Sequence, residues 1–128
     1  MLTAGPPPVL INWKLLRQLD MKTGKRTPEL EKVNGAAVRI LGFMVPFDDE
    51  EQKTTEFLLV PVMGQCVHLP PPPPNQIVLV RMANRQLTKV WYDDMVSVEG
   101  QLEIADGKSP YGDVSFQMTS TKVAKEER

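Results

Sequence analysis

Ala36-Ala-Val-Arg-Ile-Leu-Gly-Phe-Met-Val45 is the stretch on which the fold turns. Its density of branched and aromatic side chains favours extended backbone, and Gly42 in its interior marks a bulge or a sharp bend. Downstream, Pro46 and the acidic run Asp48-Asp-Glu-Glu51 lead to a second extended run, Thr55-Glu-Phe-Leu-Leu-Val60. A third is Gln76-Ile-Val-Leu-Val-Arg-Met82. In the fourth, Met95-Val-Ser-Val-Glu-Gly-Gln-Leu-Glu-Ile104, the residues Val96, Val98, Leu102 and Ile104 share a parity, and Gly100 between them again suggests a kink. The fifth covers 114–123, after a stretch at 106–113 so rich in Gly, Pro, Ser and Asp that it reads as a turn.

Upstream, residues 1–8 with Gly5-Pro-Pro-Pro8 read as an extended arm, and the apolar spacing over 9–20 predicts one short helix with Trp13, Leu16 and Leu19 on one stripe. Gly24 and then Pro28 are read as ending it. Residues 124–128 form a charged end expected to fray. The expectation is therefore a single, mainly β domain: a five-stranded OB-like Greek-key barrel over 36–123 with a short N-terminal helix. An SH3-like barrel or a β-sandwich would use the same strands.

A chain of 128 residues and 14.4 kDa is of single-domain size. Its formal charge of −1 and pI of about 5.8 provide no global field for nucleic acid, and none is expected as a partner. The longest apolar run, Phe57 to Met63, contains Pro61 and is far short of the roughly 20 residues that span a bilayer. Cys66 is the single cysteine, so no intramolecular disulfide framework exists. No Gly-rich phosphate loop and no nucleophile set can be read, so a non-enzymatic protein is expected.

Between the second and third strands lies Val62-Met-Gly-Gln-Cys-Val-His-Leu-Pro-Pro-Pro-Pro-Pro-Asn-Gln76. If the backbone is extended there, Cys66 and His68, two apart, leave the same face and converge on one ion. Thiolate plus imidazole suits zinc, and also copper in its reduced state. The plainer reading is a packed thiol and a His68 hydrogen-bonded to a carbonyl. Pro70, Pro71, Pro72, Pro73 and Pro74 lack backbone donors and have fixed φ, which makes them a polyproline II strip. With Asn75 at its end, the strip is a candidate partner-binding surface, either bracing a ligand pair or docking on an aromatic groove.

Three of these runs, Val38 to Pro46, Glu56 to Pro61 and Cys66 to Gln76, together resemble the bacterial family known as domain of unknown function 3299, with Cys-x-His-x-Pro-run-Asn as the distinguishing signature. The resemblance extends over most of the chain, the Trp13 segment included. It implies an exported protein or lipoprotein, periplasmic, whose export signal or lipid anchor is absent from this sequence and is taken to have been removed. It further implies an accessory to zinc uptake by an ABC transporter, partnered by periplasmic or membrane components of that transporter, with Cys66 and His68 as ligands. A homodimer pooling two such pairs is compatible with it. The alternative is a protein-interaction module that uses the Pro70 to Pro74 strip and holds no metal.

Overall fold

The computed structural model describes residues 7–48 and 50–126. The chain runs β1 (Val9–Leu10), α1 (Trp13–Leu16), α2 (Pro28–Val33), β2 (Ala37–Pro46), β3 (Lys53–Thr54), β4 (Glu56–Val60), β5 (Val78–Met82), β6 (Thr88–Lys89), β7 (Val96–Ser109) and β8 (Gly112–Lys125), with single 3-10 turns at Pro74–Gln76 and Ala83–Arg85. It is mainly β, as its sequence predicts. The first six residues and the last two of the expected arm and tail lie outside the described residues, as does Asp49.

Five strands close a ring by hydrogen bonding: β2 with β4, β4 with β5, β5 with β8, β8 with β7, and β7 back to β2. All of these pairings are antiparallel except β5 with β8. One strand must serve two neighbours for the ring to close. Residues 37–42 of β2 pair with β7, and residues 43–46 pair with β4, so the change of partner falls at Gly42. A Cβ on Gly42 would lie 2.8 Å from the Val60 carbonyl oxygen and 3.1 Å from the Trp13 ring, which explains the glycine at the bend.

The strand pleat then sorts the apolar side chains between two cores. Val38, Ile40, Phe57, Leu59, Val78, Val80, Val98, Leu102 and Phe116 point into the ring, joined by Leu16 and Leu19 of the α1 segment and Leu30 and Val33 of α2. The opposite parity, Val45, Leu58, Val60, Ile77 and Leu79, is buried on the outer face with Val114, packed by Phe43, Phe47, Cys66 and Tyr111. β4 and β5 are thus buried on both faces, which accounts for their unbroken apolar sequences. The long β4–β5 connection and the β7–β8 hairpin tip supply the outer cover.

Four expectations are corrected. The helix expected over 9–20 is confined to Trp13–Leu16, because Val9 and Leu10 instead add a parallel edge strand to β2 at Val38 and Arg39. The Asn12 side chain then caps the helix by accepting from the Leu15 amide at 2.9 Å. The leading helix does end before Pro28, but where a single helix was expected a second follows: Pro28 opens α2, with Thr27 as the N-cap and Pro28 in the first turn, where its missing donor is harmless. The stretch 106–113 is not a broad turn; Gly107, Lys108 and Ser109 pair with Val114, Asp113 and Gly112, leaving only Pro110 and Tyr111 between the strands. Ala124 and Lys125, expected to fray, pair with Ser97 and Val96.

Candidate functional site

The β4–β5 connection folds around one carbonyl. The amides of Val67, His68 and Leu69 all donate to the Gly64 oxygen, at 3.2, 2.8 and 2.9 Å, and the Gln65 side chain accepts from the Val62 amide at 3.0 Å. Such a coil needs left-handed residues, and both Gly64 (φ 89°) and Cys66 (φ 72°) supply them. The extended backbone that the Cys66 and His68 reading required is therefore absent, and their side chains do not leave one strand face. Cys66 is half-buried against the second core with Phe43, Phe47 and Tyr111, and burial pushes its thiol above the usual cysteine range. His68 is exposed and lines a neighbouring cavity to which Cys66 contributes nothing. Among the described residues no group of three or more His, Cys, Asp or Glu side chains gathers as a metal site would require.

The cavity is the feature that sequence reasoning missed. It has a volume of about 380 Å³ and a largely apolar lining. Its floor is the outer face of β2 and β4 at Phe43, Val45 and Val60; one wall is the coil at Met63, Val67, His68 and Leu69, and the other is Tyr92 and Asp93. Val62, Met63, Val67 and Leu69 on the coil are 48, 49, 54 and 49% exposed, a concentration of apolar surface where a connecting loop is ordinarily polar. Those four residues were the available signal in the sequence, lying as they do between two strands in a segment dense in Gly and Pro.

The proline strip leaves this wall directly after Leu69. Pro70, Pro71 and Pro73 are exposed, Pro72 and Pro74 half-buried. The strip is shorter than expected, since Pro74 begins the 3-10 turn at Pro74–Gln76. Asn75, grouped with the strip in the sequence reading, is instead buried: its Nδ2 donates to the Leu19 carbonyl at 3.2 Å. Beside it the buried Gln76 Nε2 donates to the Trp13 carbonyl at 3.0 Å and to the Asn75 carbonyl at 2.8 Å. This pair ties the end of the loop to the α1 segment and presents nothing to a partner.

A family profile described as a protein of unknown function, DUF3299, matches residues 14–125, which take in every element from α1 onward except that helix's first residue. The chain belongs to the DUF3299 family. Its structure is similar to the crystal structure of a DUF3299 family protein from Pseudomonas aeruginosa PAO1, with a TM-score of 0.72, 26% identity, and coverage of 96% of this chain and 99% of that one. It also resembles part of a putative aspartyl-tRNA synthetase from Leishmania major Friedlin, with a TM-score of 0.52 over 96% of this chain but only 21% of that one. At 8% identity this second likeness concerns the fold alone. No functionally curated protein matches the sequence. DUF3299 membership thus agrees with the resemblance read from the strands, and it assigns neither a metal nor a partner.

Proposed function

We propose that this DUF3299 protein is a non-enzymatic binding module in which an OB-like Greek-key ring presents the β4–β5 coil and its proline strip to a protein partner. The observation that carries the reading is the continuity of the exposed apolar residues Val62, Met63, Val67 and Leu69 with the cavity beside them and with Pro70, Pro71 and Pro73. Half-exposed apolar side chains around a preformed concavity are what a docking surface offers before its partner arrives. The proline strip adds a wall that loses little conformational entropy on binding. The strand order β2-β4-β5-β8-β7, with β5 and β8 parallel, supports the OB-like description.

A photo-crosslinking residue placed at Val67 tests this in cells. The expected result is a discrete adduct at Val67 that disappears when Leu69→Asp is added and weakens when Pro71, Pro72 and Pro73 become alanine. The same probe at Leu87, 63% exposed but absent from the cavity lining, should give no such band. Equal adducts at Val67 and Leu87, or a Val67 adduct indifferent to Leu69→Asp, would remove the reading.

A periplasmic accessory to zinc uptake through Cys66 and His68 is a separate proposal, supported by the resemblance of the signature rather than by the placement of the two side chains. On the docking reading, zinc titration of the reduced protein gives no stoichiometric binding, and Cys66→Ser with His68→Ala changes nothing in the titration. A one-to-one complex lost in both variants would reverse the preference between the two proposals.

A further inference from the structure

The docking reading leaves the chemistry of the occupant open, and the charges around the cavity narrow it. Asp93 stands on the cavity wall, exposed. The neighbouring Tyr92 hydroxyl donates to the Glu51 backbone carbonyl, which draws the acidic connection between β2 and β3 to the same rim. Asp48 and Glu50, both exposed, lie on that connection. Among the described residues the ion pairs engage Glu31, Glu56, Glu99, Asp94, Asp113 and Glu126, and none involves Asp48, Glu50, Glu51 or Asp93. Asp94, one residue further on, is already held by Lys125 at 3.8 Å.

Two further observations bear on these acids. Glu51 Oε2 is shielded from solvent and accepts no hydrogen bond, so one oxygen of this anion has lost water without gaining a donor. The cations of the adjoining β3–β6 ribbon, Lys53 and Lys89, sit opposite each other without pairing with these carboxylates, and the Lys89 ammonium lies 5.5 Å from the centre of the Trp91 ring. In a chain whose charges nearly cancel overall, with 15 Lys and Arg against 16 Asp and Glu, this rim is a local excess of negative charge beside an apolar floor.

We infer that the occupant is a segment of a protein partner that offers a large apolar side chain flanked by lysine or arginine. This inference rests on the docking reading. The apolar side chain fills the space between Phe43, Val60 and Leu69, and the flanking cations answer Asp93 and the exposed acids Asp48 and Glu50 of the neighbouring connection. Charge of this kind chiefly sets selectivity and the rate of encounter, so an acidic segment of equal hydrophobicity is rejected.

Fluorescence anisotropy of the full chain with three labelled peptides of about twelve residues, a length enough to cross the site when extended, decides the matter. One alternates leucine with lysine, one leucine with serine, one leucine with glutamate. The leucine–lysine peptide should bind about tenfold tighter than leucine–serine at low salt, with leucine–glutamate weakest, and the gap should close as salt rises toward physiological strength and above. Asp93→Asn and Glu50→Gln should each weaken the leucine–lysine peptide by about threefold and leave leucine–serine unchanged. Equal binding of the lysine and serine peptides overturns the charge inference while the docking reading stands. Failure of all three peptides, or binding that ignores Leu69→Ser, overturns the docking reading and this inference with it. Salt-sensitive binding of the lysine peptide that survives Leu69→Ser is surface attraction without the groove, and also overturns the inference.

Discussion

Gly100→Ala should unfold this protein more readily than any other single added methyl group. Gly100 pairs with Val38 of β2 on one side and Ser120 of β8 on the other, so it lies inside the closed ring. The β7–β8 register slips there: Glu99 faces Lys122, Gly100 faces Ser120, and Thr121 is the extra residue of a bulge on β8. The Ser120 hydroxyl satisfies the bulge by donating to the Glu99 carbonyl at 2.7 Å and accepting from the Lys122 amide at 3.3 Å. A Cβ on Gly100 would overlap the Thr119 carbonyl oxygen and stand 2.7 Å from the Ser120 Cα. Both are backbone atoms held by the ladder, so relief requires the bulge itself to move. The expected loss is about 3 kcal/mol, a large share of a total stability of roughly 5–15 kcal/mol. In urea the midpoint should fall by about 1–2 M at an unchanged slope. Gly107→Ala is a graded control, since its Cβ would meet the ends of the Gln117 and Val114 side chains at 3.0 and 3.2 Å. Its loss should be well under half that of Gly100→Ala. A Gly100→Ala protein with the midpoint of the unsubstituted chain would show that the bulge is not as the structure has it.

Gly42 and Gly100 were legible in advance because a glycine amid branched residues has few explanations other than a bend or a close approach. The strands around them were legible for the same reason, their branched and aromatic residues being continuous. What composition could not reveal was pairing. Gly107, Lys108 and Ser109 carry turn chemistry, yet they extend β7 because β8 continues alongside them and satisfies their backbone. Val9 and Leu10 share helical spacing with Trp13 and Leu16, yet the free edge of β2 takes them as a strand. At the site, same-face projection of Cys66 and His68 is a rule for extended chains, and the left-handed turn at Gly64 and Cys66 suspends it. The cavity was hidden for a related reason: Phe43 and Val60 come from strands, Leu69 from a coil and Tyr92 from a distant loop, so only the closed ring assembles them.

The clamp at Asn75 and Gln76 carries the other large effect, and it separates holding the loop in place from contacting a partner. Gln76→Glu is nearly isosteric, but it replaces an amide that donates to the Trp13 and Asn75 carbonyls with a buried carboxylate facing two oxygens. Loss of both hydrogen bonds and burial of an unpaired anion together should remove about 3 kcal/mol at neutral pH. The introduced carboxyl group, destabilised as an anion, would titrate above its ordinary value of about 4.3. Its penalty is therefore fully present above that raised value and shrinks as the pH falls through it, because the protonated form regains one donor. The deficit relative to the unsubstituted protein should accordingly be smaller near pH 4 than at pH 7, whereas Gln76→Ala should show a deficit that does not vary with pH. Asn75→Ala should be the mildest of the three substitutions, since it removes one bond to Leu19 but also an Oδ1 that is buried without a hydrogen-bond partner. Hydrogen exchange should locate the loosening of Gln76→Glu in residues 13–19, where the clamp grips, with the closed ring still protected. Under conditions in which the variant remains folded, its affinity for the leucine–lysine peptide should stay within about twofold of the unsubstituted chain, because the clamp lies outside the cavity lining. A Gln76→Glu deficit that is flat with pH, or exchange that rises evenly through β4 and β5 instead, would mean that this side chain serves general packing rather than fastening the N-terminal segment to the ring.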